Sequence, residues 1–303
     1  MSLYLKYRPK TLDEVRGNAE VVSALEGMLS DLDNCPHSFL LHGPTGCGKT
    51  TIGRIIADRL GSKGMDFREV DSADFRGIDT VREIRKQSQL KSLESPCRVW
   101  LIDECHKLTN DAQNALLKIL EDTPKHIYFI LCTTDPHKLL KTIQGRCSQF
   151  AVKPLGERDM FRLLRKVVKD EGHELPKDIY DQISQDSLGH PRNALQILDQ
   201  VLRVEPDQRL EIAKQSAEEY NEAIELCRAL IKGANWKEVR TILGGMKNQD
   251  PESARRNVMG YAQAILLKDD NERAGLVLEE MLEPFYSSGF PGLTYACYSI
   301  TKN

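Results

Sequence analysis

Between positions 38 and 152 the chain alternates short apolar runs with stretches whose apolar residues recur every three or four positions. The runs are SFLLH (38–42), DFREVD (66–71), RVWLID (98–103), IYFILCT (127–133) and SQFAV (148–152). VWLI and YFIL contain no polar alternation, so strands built from them need cover on both faces, as central parallel strands have. Helical stretches between the runs can supply that cover. The pattern therefore predicts an α/β fold with a parallel sheet made of βαβ units.

After KPLGERD the strand signals stop and helical periodicity alone continues. Helices are predicted over 157–171, 176–187 and 191–203, punctuated by Gly172, Pro176, Gly189 and Pro191. RVEPDQ (203–208) reads as a linker. Beyond it Ala213, Ala217, Tyr220, Ile224, Cys227 and Ile231 give one helix an apolar stripe. Breaks near Gly233, Gly244, Pro251, Asp269 and Ser287 divide the remainder into about five helices. The expected organisation is an α/β domain over 1–154, three short helices over 155–204, and a helical domain over 205–303.

Composition narrows the class. With 303 residues, 40% of them hydrophobic, the chain can fill more than one core, and it has no apolar run long enough to span a bilayer. Its amino terminus, MSLYLKYRPK, lacks the apolar core of a signal peptide, which points to the cytoplasm. Eight cysteines stand singly, without zinc-site or disulfide spacing, and read as reduced, buried small side chains. The net charge of -3 divides into -4 after residue 204 and +1 before it. Nucleic-acid contact would therefore need a local basic stripe in the first part of the chain.

Two motifs carry chemistry. GPTGCGKTT (43–51) follows a strand and opens a helix, the context of a phosphate-binding loop. In the loop that Pro44 opens, the backbone N–H groups of Thr45, Gly46, Cys47, Gly48, Lys49, Thr50 and Thr51 would cradle phosphate. Lys49 would reach the β- and γ-phosphates of the ligand and the Thr50 hydroxyl would take Mg2+. Further on, VWLIDE ends a strand on two adjacent acids. Asp103 suits the magnesium shell, and Glu104 suits a base acting on the attacking water. Strand alternation alone would aim the two oppositely, but at a strand end the second can turn toward the site.

Together with KYRPKTLDEVRGN (6–18), WLIDECHKLTNDAQNALLKILED (100–122), CTTDPHKLLKTIQGRC (132–147) and GHPRNALQILDQ (189–200), these motifs resemble the clamp-loader ATPases of the AAA+ class, the bacterial gamma/tau and replication factor C small-subunit types. The resemblance covers most of residues 1–204 and implies roles by position. Tyr7, Arg8, Pro9, Val15 and Gly17 match the adenine-pocket segment, and Thr134 matches sensor 1. Arg192, behind Pro191, matches sensor 2, and Arg146 holds the arginine-finger position. Gly145 stands where the finger motif has serine, Cys105 where alanine is usual, and the bacterial zinc-binding cysteine cluster is missing.

The family reading also gives meaning to RGIDTVREIRKQSQLK (76–91), where Arg82, Arg85, Lys86 and Lys91 would meet the phosphates of primer-template DNA. By the same resemblance the chain is an ATPase that opens a sliding clamp within a ring-like oligomer of its own copies and a distinct loader subunit, with no membrane and no zinc. The helices after residue 204 would form the oligomerising collar. Another AAA+ motor, such as a branch-migration helicase or initiator, usually adds a basic DNA-binding domain, whereas residues 205–303 are acidic and helical. A non-hydrolysing structural subunit usually has a degraded phosphate loop, and this loop is intact.

Overall fold

The computed structural model describes residues 1–302 other than 73, 75, 76, 221, 249 and 268. Its chain order begins with α1 (Leu3–Lys6), α2 (Ala19–Ser30), β1 (Ser38–His42), α3 (Lys49–Arg59), β2 (Phe67–Asp71), α4 (Ile78–Ser88) and β3 (Arg98–Asp103). There follow α5 (Asn110–Glu121), β4 (Ile127–Thr133), α6 (Lys141–Gln144) and β5 (Ser148–Ala151). The rest is helical: α7 (Glu157–Asp170), α8 (Lys177–Asp186), α9 (Pro191–Val201), α10 (Arg209–Tyr220), α11 (Glu222–Ile231), α12 (Trp236–Gly245), α13 (Pro251–Leu266), α14 (Glu272–Glu280) and α15 (Gly289–Lys302). Among the described residues no helix is long and apolar enough to cross a membrane.

Two compact units result. Residues 5–159 form the α/β unit, and the first four residues join those from 160 onward in a helical unit. In the α/β unit all five strands are parallel, in the order β2-β3-β4-β1-β5. The apolar runs lack alternation because both of their faces are covered. Phe39, Leu41, Val99, Leu101, Ile130 and Cys132 join one core with Ile52, Ile55 and Ile56 of α3. Leu40, Trp100, Ile102, Phe129 and Leu131 point the other way and pack with Val81 and Ile84 of α4 and with Ala112 and Leu116 of α5. Successive residues of one strand thus feed opposite cores, as the two-residue period requires.

The expected strand at 66–71 begins one residue late, and Asp66 has a different job. Its carboxylate is buried in a turn, accepts the backbone N–H groups of Leu93, Glu94 and Ser95 at 2.8–3.0 Å, and pairs with the Arg98 guanidinium at 3.1 Å. Arg98 in turn donates to the carbonyls of Gln87 and Lys91. One buried pair therefore fixes the whole connection from α4 to β3.

In the helical unit, the stripe read as one helix is shared by α10 and α11. Ala213, Ile224 and Cys227 are buried, while the side chains of Ala217 and Tyr220 lie outside the described residues. After α11 the chain makes four α-helices among the described residues, where about five were expected from its breaks. All eight cysteines are free, and seven are buried.

Asp66→Asn would leave Arg98 buried without its counter-charge, and urea unfolding is expected to show a loss of about 3–5 kcal/mol. Burial opposes ionisation of Asp66, but the Glu94 and Leu93 N–H groups, Arg98 and the Ser95 N–H outweigh it and lower the carboxyl to about 2. A depressed folded value stabilises the protein above the unfolded value of about 4 and is lost as pH falls. The wild type should lose stability from about pH 4 down to about 2 more steeply than Asp66→Asn, as followed by unfolding at each pH.

Candidate functional site

The distinctive chemistry gathers at the carboxyl ends of β1, β4 and β3, which are adjacent in that order. Open α/β sheets bind ligands outside the carboxyl ends of their strands. The loop after β1 turns on glycines with positive φ. Gly43 has φ 147, and a Cβ there would lie 2.0 Å from the Val152 carbonyl oxygen, just beyond β5. Gly48 has φ 101 and immediately precedes the first residue of α3, so the helix opens directly from the loop.

Lys49, the first residue of α3, is 5% exposed. Its Nζ donates to the Gly43 and Pro44 carbonyls, both at 2.9 Å. Burial lowers its pKa, against the opposing pull of Glu104 and, more weakly, Asp103. The ammonium is therefore curled back onto the carbonyls of its own loop. The Thr50 hydroxyl donates to Asp103 Oδ2 at 2.7 Å, and the other Asp103 oxygen accepts the Glu104 N–H at 3.0 Å.

Glu104 does turn at the strand end, by a left-handed backbone with φ 47 and ψ 41. Such a conformation is unfavourable for a residue with a side chain and needs support from its surroundings. Thr134, the residue after β4, supplies some of it by donating its hydroxyl to Glu104 Oε2 at 3.1 Å. His106 Nδ1 lies 3.3 Å from the same oxygen and 3.0 Å from Thr133 Oγ1. His106 and Thr133 were not singled out from the sequence. The histidine was visible in WLIDECHKL, but only the three-dimensional turn at Glu104 shows what it reaches. Burial lowers the His106 pKa, with Glu104 pulling the other way, so the ring tends to the neutral form able to share a hydrogen bond.

Of the other expected residues, Arg8 donates from Nε to Thr51 Oγ1 at 3.0 Å and ties the 7–17 segment to α3. Val15 packs on the core beneath α3, and the Asn18 carboxamide bonds Lys153 at both its ends. Cys47 is buried, and burial pushes its thiol up to about 11. Pro44 and Thr45 are exposed. The structure thus brings Lys49, Thr50, Asp103, Glu104 and Thr134 together.

Three expected features are carried by other elements. Arg146 follows α6, and its guanidinium pairs with Glu121 at the end of α5, both side chains partly exposed. Arg192 is exposed at the second position of α9, in the helical unit. Arg82, Arg85 and Lys86 share the exposed face of α4, opposite buried Val81, Ile84 and Ser88, and Lys91 is exposed just beyond it. Arg82 is partly occupied by an exposed pair with Asp79 at 3.0 Å. Arg76 lies outside the described residues.

Comparison with known proteins gives three findings. A family model described as DNA polymerase III, delta subunit, matches residues 63–156. DNA polymerase III subunit gamma/tau of Mycobacterium tuberculosis is 35% identical over 225 residues, which is 67% of this chain and 39% of that protein. Subunit gamma of Buchnera aphidicola from Schizaphis graminum is 35% identical over 220 residues, 66% of this chain and 60% of that protein. The chain thus spans less than two thirds of these relatives' length. Among solved structures, Thermotoga maritima RuvB aligns with TM-score 0.62 at 18% identity, covering 80% of this chain and 88% of that one. A second, titled as the RuvB Holliday junction branch migration motor, gives TM-score 0.58 at 21% identity, covering 78% and 85%. At such identity the likeness is one of fold alone.

Gly43→Ala is expected to cost about 3 kcal/mol or more in chemical denaturation, because the added methyl meets a backbone carbonyl that cannot move without shifting β5.

Proposed function

We propose, from its 35% identity to the gamma/tau and gamma subunits of DNA polymerase III and its likeness in fold to RuvB, that the chain is an AAA+ ATP-hydrolysing clamp-loader subunit that helps open a sliding clamp and place it on primer-template DNA. The observation that carries this reading is the convergence of Lys49, the Thr50–Asp103 pair and the Thr134–Glu104 pair at three adjacent strand ends.

ATP and magnesium suit these residues. A hydroxyl and a carboxylate are the hard oxygen donors that magnesium prefers, so Thr50 and Asp103 would hold it. The metal, when bound, neutralises charge on the phosphates. Lys49 and the loop N–H groups would bind the phosphate oxygens, the lysine exchanging two carbonyl contacts for them. Glu104 would orient the attacking water and accept its proton, with Thr134 and His106 holding the carboxylate in place. Tyr7, Arg8, Pro9, Val15 and Gly17 would border the adenine, Pro191 and Arg192 would bring the lid helices to the nucleotide, and α10–α15 would form the collar. The exposed basic face of α4, with Lys91, would follow DNA phosphates without reading sequence.

Arg146 would serve a neighbouring subunit. Its pair with Glu121 is partly exposed, and such pairs contribute only about 0–1 kcal/mol, so a γ-phosphate across an interface could readily replace it.

ATPase assays with primed DNA and a cognate clamp are expected to show strong stimulation by the two together. Arg82→Glu with Arg85→Glu should remove the DNA part of it and flatten the salt dependence. Lys49→Ala should lose ATP binding, whereas Glu104→Gln should bind and fail to turn over. Indifference to the clamp would overturn the loader reading.

Arg146→Ala should bind ATP and turn over slower by roughly 10³–10⁵-fold. Mixing it with Glu104→Gln should restore part of the activity, since some interfaces then have an intact Glu104 and an intact Arg146. Exchange of subunits with no recovery would show that Arg146 does not act in trans.

A further inference from the structure

Deep in the helical unit, side chains from three helices share one charge pair. Asp186, the last residue of α8, is 1% exposed. Its Oδ1 accepts from Arg228 Nη2 of α11 at 2.6 Å and from the Tyr261 hydroxyl of α13 at 3.4 Å, and its Oδ2 accepts from Gln182 at 2.7 Å. Arg228 also donates from Nε to the Tyr261 oxygen at 2.9 Å and from Nη1 to the Lys214 carbonyl of α10 at 2.9 Å. Burying such a pair costs desolvation that apolar side chains would avoid, so it is a poor means of adding stability and a good means of fixing geometry.

What it fixes is the turn that follows. Ser187 is buried, Leu188 and Gly189 both have positive φ at 51 and 76, and the His190 N–H closes back on the Ser187 carbonyl at 2.8 Å. Leu188 packs on the core formed by α11–α15. A leucine in this conformation needs its surroundings to hold it there. Pro191 then opens α9 and Arg192 follows immediately. The turn is therefore clamped at Asp186 and Leu188, and both clamps belong to helices after residue 208.

The geometry points to a positioning role for Arg228 and Tyr261: through Asp186 they hold the α8–α9 turn, and with it Arg192, in register with α10–α13, so that the helices proposed as the collar set the chain's affinity for ATP. This rests on the proposed contact between Arg192 and nucleotide. The three lid helices and the collar then work as one lever, and a shift imposed on the collar by neighbouring subunits reaches Arg192 without being absorbed in the turn.

The test is a double-mutant cycle on the full chain, reading equilibrium binding of ATP with magnesium alongside amide hydrogen exchange. Arg228→Met is expected to weaken ATP binding about tenfold and to raise exchange across 187–193 while the α13–α15 core stays protected. In an Arg192→Ala background the same change should cost less than about twofold, because the contact it positions is already gone. Additive losses, or wild-type affinity in folded Arg228→Met, would overturn the proposal. If Arg192→Ala alone binds ATP normally, the nucleotide role of Arg192 fails and the affinity coupling with it, and the exchange data still report separately whether the turn was held. Should Arg228→Met not fold, Tyr261→Phe keeps the ring and removes one hydroxyl; a loss of about threefold is expected, and unchanged affinity would overturn the proposal.

Discussion

All five strands run in one direction, so their carboxyl ends lie along one edge of the sheet, and the reactive groups of the α/β unit hang from that edge. Because β4 lies between β1 and β3, the residue after β4 sits between the glycine loop and the two acids. Thr134 can bond Glu104, and Thr50 can bond Asp103, only while that order and register hold. The core serves the same end: α3 covers one face and α4 and α5 the other, which keeps the strand ends at fixed spacing. The α/β unit is in this sense a frame for holding a few oxygen and nitrogen atoms at one edge.

The two units spend buried charge differently. In the α/β unit Asp66 and Arg98 fasten a connecting segment to the sheet, at the opposite end of β3 from the acids. In the helical unit Asp186 and Arg228 join α8 to α11. A third pair, Glu252 with Arg255, holds the Phe285 N–H and the Met281 carbonyl and so anchors the approach to α15. Each pair ties a helix or a strand to a segment where the chain changes direction.

Much of this was legible in the sequence, and the illegible part has a common cause. Uninterrupted apolar runs gave away β1, β3 and β4 to the residue, since a doubly covered strand leaves no polar position to blur its ends. The glycine loop and the adjacent acids could be read because they are local motifs. Asp66 was read as part of a strand because nothing near it reveals a partner 32 residues away. The same holds for Asp186 and Arg228, 42 residues apart, and for His106, which lies in the turn after β3 and meets Thr133 at the end of β4. The long stripe from 213 to 231 kept helical spacing across two helices, so periodicity alone could not divide it.

The two-sided strands also constrain how this sequence can drift. In β1, β3 and β4 each residue feeds one of two cores, and its neighbour feeds the other. Losing or gaining a single residue within such a strand would send every later side chain to the wrong core and shift the groups at the strand's carboxyl end by half a pleat. Substitution of one apolar residue for another is a small step in these strands, whereas a change of length has no gradual route. Across descendants of this chain, insertions and deletions should therefore collect in the connections and leave the strand lengths untouched, a record of the sheet that could be read from gaps alone.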